Sequence, residues 1–103
     1  MSESKEDLLT SLNKETAKLS WNELERHFAR GSVIKIEQGE DLIETAVLFA
    51  NDDAKAIENK ISKGLVSNAS IDDAKTWNER QSEFWAVVVA PFVLVQEILP
   101  KMN

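Results

Sequence analysis

Helical and strand periodicities alternate along this chain, and its longest apolar run stands near the C-terminus. Over 84–95, FWAVVVAPFVLV, twelve consecutive residues are apolar before Gln96 and Glu97 close the run. A segment this apolar must be covered on both faces, so the rest of the chain has to supply the cover. Val87, Val88 and Val89 are β-branched and favour a strand, and the chain must bend at Ala90 and Pro91 because proline lacks the N–H a ladder requires. Beyond the bend, either the strand resumes over 92–97 or Pro91 opens a short helix to Leu99; the strand reading is the one adopted.

Upstream, the local start and stop signals predict mainly helices. Leu8, Leu9, Leu12 and Leu19 recur at helical spacing behind Ser4 and Asp7, which predicts an amphipathic helix over 5–18. Ser20 can cap a second helix, Glu23 completes a capping box, Leu19 and Leu24 form a staple, and Gly31 sits where a helix ends, so 21–29 is helical. Val33, Lys35 and Glu37 alternate with Ile34 and Ile36, the period of a half-buried strand over about 32–37. Asp41 with Glu44 opens a helix over 41–50, Asp53 opens another over 53–63 that Gly64 stops, and Ser70 with Asp73 opens a third over 71–81. Leu65 and Val66 suit a short edge strand over 65–67.

The fold class predicted is α+β: a small two- to three-stranded sheet (32–37, 85–97, with 65–67 as the candidate third strand) packed against about four helices from the ranges above. At 103 residues the chain fits one domain, 1–103, with 1–4 and 100–103 expected as flexible ends. So small a sheet leaves an apolar strand at an edge, a liability unless another chain covers it, and this predicts a homodimer or another protein as partner.

Composition narrows the function classes. Hydrophobic residues are 43% and charged residues 29%, ordinary for a chain that folds. The formal charge of −6 is scattered, with no basic stripe, so neither nucleic acid nor an anionic membrane is an expected partner. The absence of cysteine excludes disulfides, thiolate nucleophiles and Cys-based metal sites. No apolar signal region is readable near the start, and the twelve-residue run is shorter than the roughly 20 residues a bilayer needs, so a cytoplasmic protein is expected.

Two blocks, SWNELERHFARG at 20–31 and WAVVVAPFVLVQE at 85–97, resemble a small bacterial family known as domain of unknown function 2288. The resemblance covers nearly the whole chain. It implies a bacterial protein and supplies no activity.

Candidate chemistry is sparse. On the second helix Trp21, Leu24 and Phe28 share one face, while Glu23, Arg26, His27 and Arg30 share the other. That polar face is either solvated or a site in which His27 moves a proton and Arg26 or Arg30 clamps an anion, and the solvated reading is the simpler. His27 is the only histidine, and Asp41, Glu44, Asp52, Asp53, Asp72 and Asp73 stand at helix starts where capping explains them, so no metal is predicted. Gly31, Gly39 and Gly64 are isolated and encode no phosphate-cradling loop, and no serine has a nucleophile-elbow context. Gln96 and Glu97, polar residues ending an apolar strand, either emerge into solvent or line a pocket with Arg26 or Arg30. The candidate binding residues are therefore Trp21, Arg26, His27, Arg30, Trp85, Gln96 and Glu97, with no catalytic residue and no cofactor. The function predicted is a non-catalytic interaction or regulatory module; the alternative is a binder of a small anionic ligand, or a small enzyme, using the Arg/His/Glu cluster.

Overall fold

The apolar run folds into two strands that turn back on each other. Glu83–Val89 and Phe92–Ile98 pair antiparallel about the turn at Ala90 and Pro91, in the register Val89 with Phe92 through Glu83 with Ile98. In the computed structural model, which describes residues 16–99, they lie inside a five-stranded mixed sheet. The strands are β1 (Ala17–Ser20), β2 (Val33–Ile36), β3 (Val66–Asn68), β4 (Glu83–Val89) and β5 (Phe92–Ile98), in the order β1-β4-β5-β2-β3. All neighbours are antiparallel except β2 and β5, which run parallel. Four helices are described: α1 (Trp21–Ala29), α2 (Leu42–Ala50), α3 (Ala54–Ser62) and α4 (Ile71–Arg80).

The sheet corrects the expected two or three strands to five. One unexpected strand is β1. Of the helix predicted over 5–18, residues 5–15 lie outside the described residues, as do 1–4 and 100–103, but Ala17–Ser20 is strand. Four residues hold too little periodicity to tell the last turn of a helix from an edge strand, and pairing from Ala17 with Ala86 to Ser20 with Glu83 decides for strand. A further strand comes from the hairpin, since the range 85–97 holds both β4 and β5. The candidate strand at 65–67 is present as β3, displaced by one residue, pairing Val66 with Ile36. The helix considered from Pro91 to Leu99 does not form.

Helix starts follow the local signals. Ser20 leaves β1 in an extended conformation (φ −85°, ψ 163°) and at once caps α1 in a full capping box with Glu23; Ser70 does the same for α4 with Asp73. Asp41 and Asp53 accept from the backbone N–H groups of Glu44 and Ala56 at the starts of α2 and α3.

The two faces of the sheet carry separate cores. Phe84, Ala86, Val33, Val93 and Val95 pack under Trp21 and Leu24 of α1 and Trp77 of α4, with the Trp77 and Phe84 rings edge to face at 4.8 Å between centroids. On the opposite face Ile34, Ile36, Val66, Val87 and Leu94 pack under Leu42, Ala46 and Val47 of α2. Much of the covering that the apolar run demands thus comes from helices on both faces and strands on both sides, with Trp85 and Val88 left exposed. Because β4 and β5 are interior, the apolar edge strand behind the expected homodimer is not found among the described residues, where the sheet edges are β1 and β3.

Candidate functional site

Where the parallel strands β2 and β5 end, their alternation turns charged side chains toward α4. Lys35 and Glu37 follow Val33 on the α4 face of the sheet, and Glu97 follows Val93 and Val95. Asp73, Thr76, Trp77 and Arg80 recur at helical spacing on α4, with Trp77 buried at 3% exposure and anchoring that helix to the sheet. Between them lies a cavity of about 180 Å³, lined by Lys35, Glu37, Asp73, Thr76, Arg80 and Glu97 with the Trp77 ring. Open doubly wound sheets bind ligands at the carboxyl ends of parallel strands, and this cavity occupies the matching place.

Local chemistry fixes each charged group. The capping box orients Asp73: its backbone N–H donates to Ser70 Oγ at 3.0 Å and its Oδ2 accepts from the Ser70 N–H at 2.9 Å. Oδ1 is left to accept from Lys35 Nζ at 3.0 Å, and Glu37 Oε1 stands 3.7 Å from the same ammonium. At the other wall, Gln81 adopts the left-handed conformation (φ 52°) that ends α4, and the Ser82 N–H returns to the Trp77 carbonyl at 3.0 Å. This places buried Ser82 so that its hydroxyl donates to Glu97 Oε2 at 2.6 Å, while Arg80 Nη1 lies 3.6 Å from the same oxygen. Arg80 and Glu97 also form the boundary of a second depression of about 430 Å³, walled by Ser82, Ile98 and Leu99.

The electrostatics hold the Lys35 and Asp73 charges in place. Burial alone would lower the Lys35 pKa, but the hydrogen bond and charge of Asp73, aided by Glu37, outweigh it and raise the value above that of an ordinary lysine. Burial alone would raise the Asp73 pKa, but hydrogen bonds from Ser70 and Lys35 outweigh it and lower it below the usual carboxylate range. Both groups are therefore firmly charged at neutral pH. A proton-transfer catalyst needs the opposite, a group brought toward neutrality, so these two residues are suited to recognising charge.

The residues singled out in the sequence do not converge. Trp21 is core, 3% exposed, with its ring 5.8 Å from Phe28 and 6.0 Å from Trp77. Arg26 is exposed on the outer face of α1. His27 and Arg30, at the end of α1, line a depression with Val88, Pro91 and Val93, beside the turn between β4 and β5. Glu97 stands four residues further along β5 than Val93, about 13 Å at strand rise, and pairs with Arg80 instead of Arg26 or Arg30. Gln96 points to the opposite face from Glu97, where its Nε2 donates to the carbonyls of Glu37 at 2.9 Å and Glu40 at 2.7 Å and pins the turn after β2. Trp85 shares that opposite face with Val87 but lies beyond the cover of α2, 46% exposed. Of the seven candidates only Glu97 belongs to the cavity. Lys35, Asp73, Thr76 and Arg80, which line the cavity, and Ser82, which holds Glu97, are not among the seven, although the hairpin holds a signal: counting outward from a turn at Ala90 and Pro91 sets Glu97 opposite Phe84, next to Ser82.

Among the described residues no group of three or more His, Cys, Asp or Glu is placed to hold a metal ion, and no helix is long and apolar enough to cross a membrane.

Fold and cavity together define a small α+β protein, a mixed five-stranded sheet with helices on both faces and a charged cavity beside its parallel pair. The chain belongs to the family described as Protein of unknown function (DUF2288), which matches residues 7–97. It is similar to the NMR solution structure of PA1075 from Pseudomonas aeruginosa, with 40% identity and a TM-score of 0.81 over 100% of this chain and 95% of that one. Among curated proteins none matches.

Proposed function

We propose that the chain is a non-catalytic binding module that holds a small polar molecule in the cavity between α4 and the ends of β2 and β5. The observation that carries this reading is the convergence of two ion pairs, Lys35–Asp73 at 3.0 Å and Arg80–Glu97 at 3.6 Å, on one cavity built over a buried tryptophan. The Arg80–Glu97 pair is open on the Arg80 side, 60% exposed, and exposed pairs stabilise a fold by only about 0–1 kcal/mol, so stability gives little reason to set this pair at an opening. A few convergent polar groups in a concavity are what give a ligand site its orientation and specificity. Saturation-transfer NMR with pooled amino acids, polyamines, carboxylates and phosphates tests it. Wild-type protein is expected to give saturable signals that vanish in Thr76→Trp, whose indole fills the cavity. No signal with wild type, or undiminished signal in a folded Thr76→Trp, would overturn the reading.

A second reading, a protein-interaction surface with a second copy as partner, draws on Trp85. A large aromatic left 46% exposed on a sheet face is the residue type that anchors interfaces. Light scattering at tens of micromolar should then show a dimer that Trp85→Ala dissociates; a strict monomer removes this reading.

A further inference from the structure

We infer that the ligand of this cavity is a free α-amino acid with an aliphatic side chain, its charged head laid across the Arg80–Glu97 pair. The inference deepens the binding reading above and rests on it.

The two partners of that pair are held very differently. Glu97 is fixed: it sits within β5 in register with Phe84, its side chain is 16% exposed, and the buried Ser82 hydroxyl donates to Oε2 at 2.6 Å. Its other oxygen, Oε1, takes no hydrogen bond from a described residue. Arg80 is loose: its side chain is 60% exposed, and at 3.6 Å its nitrogen lies beyond hydrogen-bond length from Glu97. One anchored anion with a free oxygen thus stands beside one cation with its donors unspent. An α-amino acid carries an ammonium and a carboxylate on the same carbon, a separation that matches two side-chain charges already side by side. Its carboxylate would take the planar fork of Arg80 bidentately, and its ammonium would take Glu97 Oε1.

The surroundings discriminate against simpler ligands. The cavity brings two cations, Lys35 and Arg80, against three carboxylates, Glu37, Asp73 and Glu97. Lys35 is already committed, at 3.0 Å to Asp73 and 3.7 Å to Glu37, so a simple anion meets one available cation and a surplus of like charge. A simple amine satisfies Glu97 but leaves Arg80 without a new partner. The side-chain preference comes from the second depression, which shares Arg80 and Glu97 and is walled beyond them by Ile98 and Leu99, the latter 47% exposed. A ligand whose head bridges the pair extends its side chain along those two residues, where an aliphatic group removes apolar surface from water.

The test is an amide-shift titration of the ¹⁵N-labelled full chain with L-leucine, N-acetyl-L-leucine, 3-methylbutylamine, L-glutamate and inorganic phosphate. L-leucine is expected to shift the Arg80, Ser82 and Glu97 amides saturably, with the four other probes at least tenfold weaker. Glu97→Gln and Arg80→Gln should each weaken L-leucine at least tenfold, and Arg80→Gln should leave the affinity for 3-methylbutylamine unchanged. Amides remote from the cavity report that each variant is folded. If N-acetyl-L-leucine or phosphate binds as tightly as L-leucine, or Arg80→Gln leaves L-leucine unaffected, the amino-acid assignment is overturned while the cavity remains a binding site. If no pooled metabolite binds at all, the underlying binding reading is what has failed.

Discussion

Trp21 carries two opposing effects. Its ring fills the space between Phe28 and Trp77, yet its buried indole N–H finds no hydrogen-bond partner among the described residues. An unsatisfied buried donor costs about 1–3 kcal/mol, and a smaller ring forfeits packing of similar size. Trp21→Phe is therefore expected to lie within about 1 kcal/mol of wild type in urea denaturation, because the two effects offset. A loss of about 3 kcal/mol or more would mean that the N–H is satisfied after all.

The Lys35–Asp73 pair gives a pH signature whose direction follows from the two shifts. Asp73 has a lowered pKa in the fold, so its contribution is present above the unfolded value of about 3.9 and is lost as pH falls through the folded value. Lys35 has a raised pKa, so its contribution is present below the unfolded value of about 10.4 and is lost as pH rises through the folded value. Denaturation midpoints measured against pH should fall less steeply on the acid side in Asp73→Asn than in wild type. Equal acid slopes would contradict the pairing.

At the scale of elements, helices were legible because their signals are local. Ser20, Asp41, Asp53 and Ser70 each accept the backbone hydrogen bond expected of a cap, and α1 to α4 fall within a residue or two of the ranges read from them. Ser70→Ala removes the acceptor for the Asp73 N–H and should cost about 1 kcal/mol, a drop of about 4–8 °C in Tm by calorimetry. No change would mean that the box contributes nothing to α4. Strands were less legible, since β1 and β3 are defined by partners distant in sequence and carry only four and three residues. The cavity was illegible for the same reason. Lys35 reaches the cavity only because β2 pairs with β5 far along the chain, and Arg80 reaches Glu97 only once the β4–β5 register is set, whereas Arg26, His27 and Arg30 stand out by being neighbours on one helix.

For the molecule as a whole, most of the apolar run 84–95 is covered within one chain, since β4 and β5 are interior strands under α1, α4 and α2, while Trp85 (46% exposed) and Val88 (57% exposed) stay open on the two faces of β4. Backbone amides of β4 and β5 should accordingly exchange slowest with solvent, and those of β3 and of α3, which contributes no buried residue, much faster. Uniform protection across all five strands would contradict this order. The same stacking explains where a site can form. A five-stranded sheet covered on both faces leaves one of its concavities at the ends of the parallel pair, with charges from β2, α4 and β5 around it.

The central claim, that this concavity is where the protein binds, is tested most directly by mapping amide-shift changes as pooled polar metabolites are added to the labelled chain. The changes should cluster at Lys35, Glu37, Asp73, Thr76, Arg80, Ser82 and Glu97. Changes confined to His27, Arg30, Val88 and Pro91, or to the surroundings of Trp85, with the cavity silent, would contradict it.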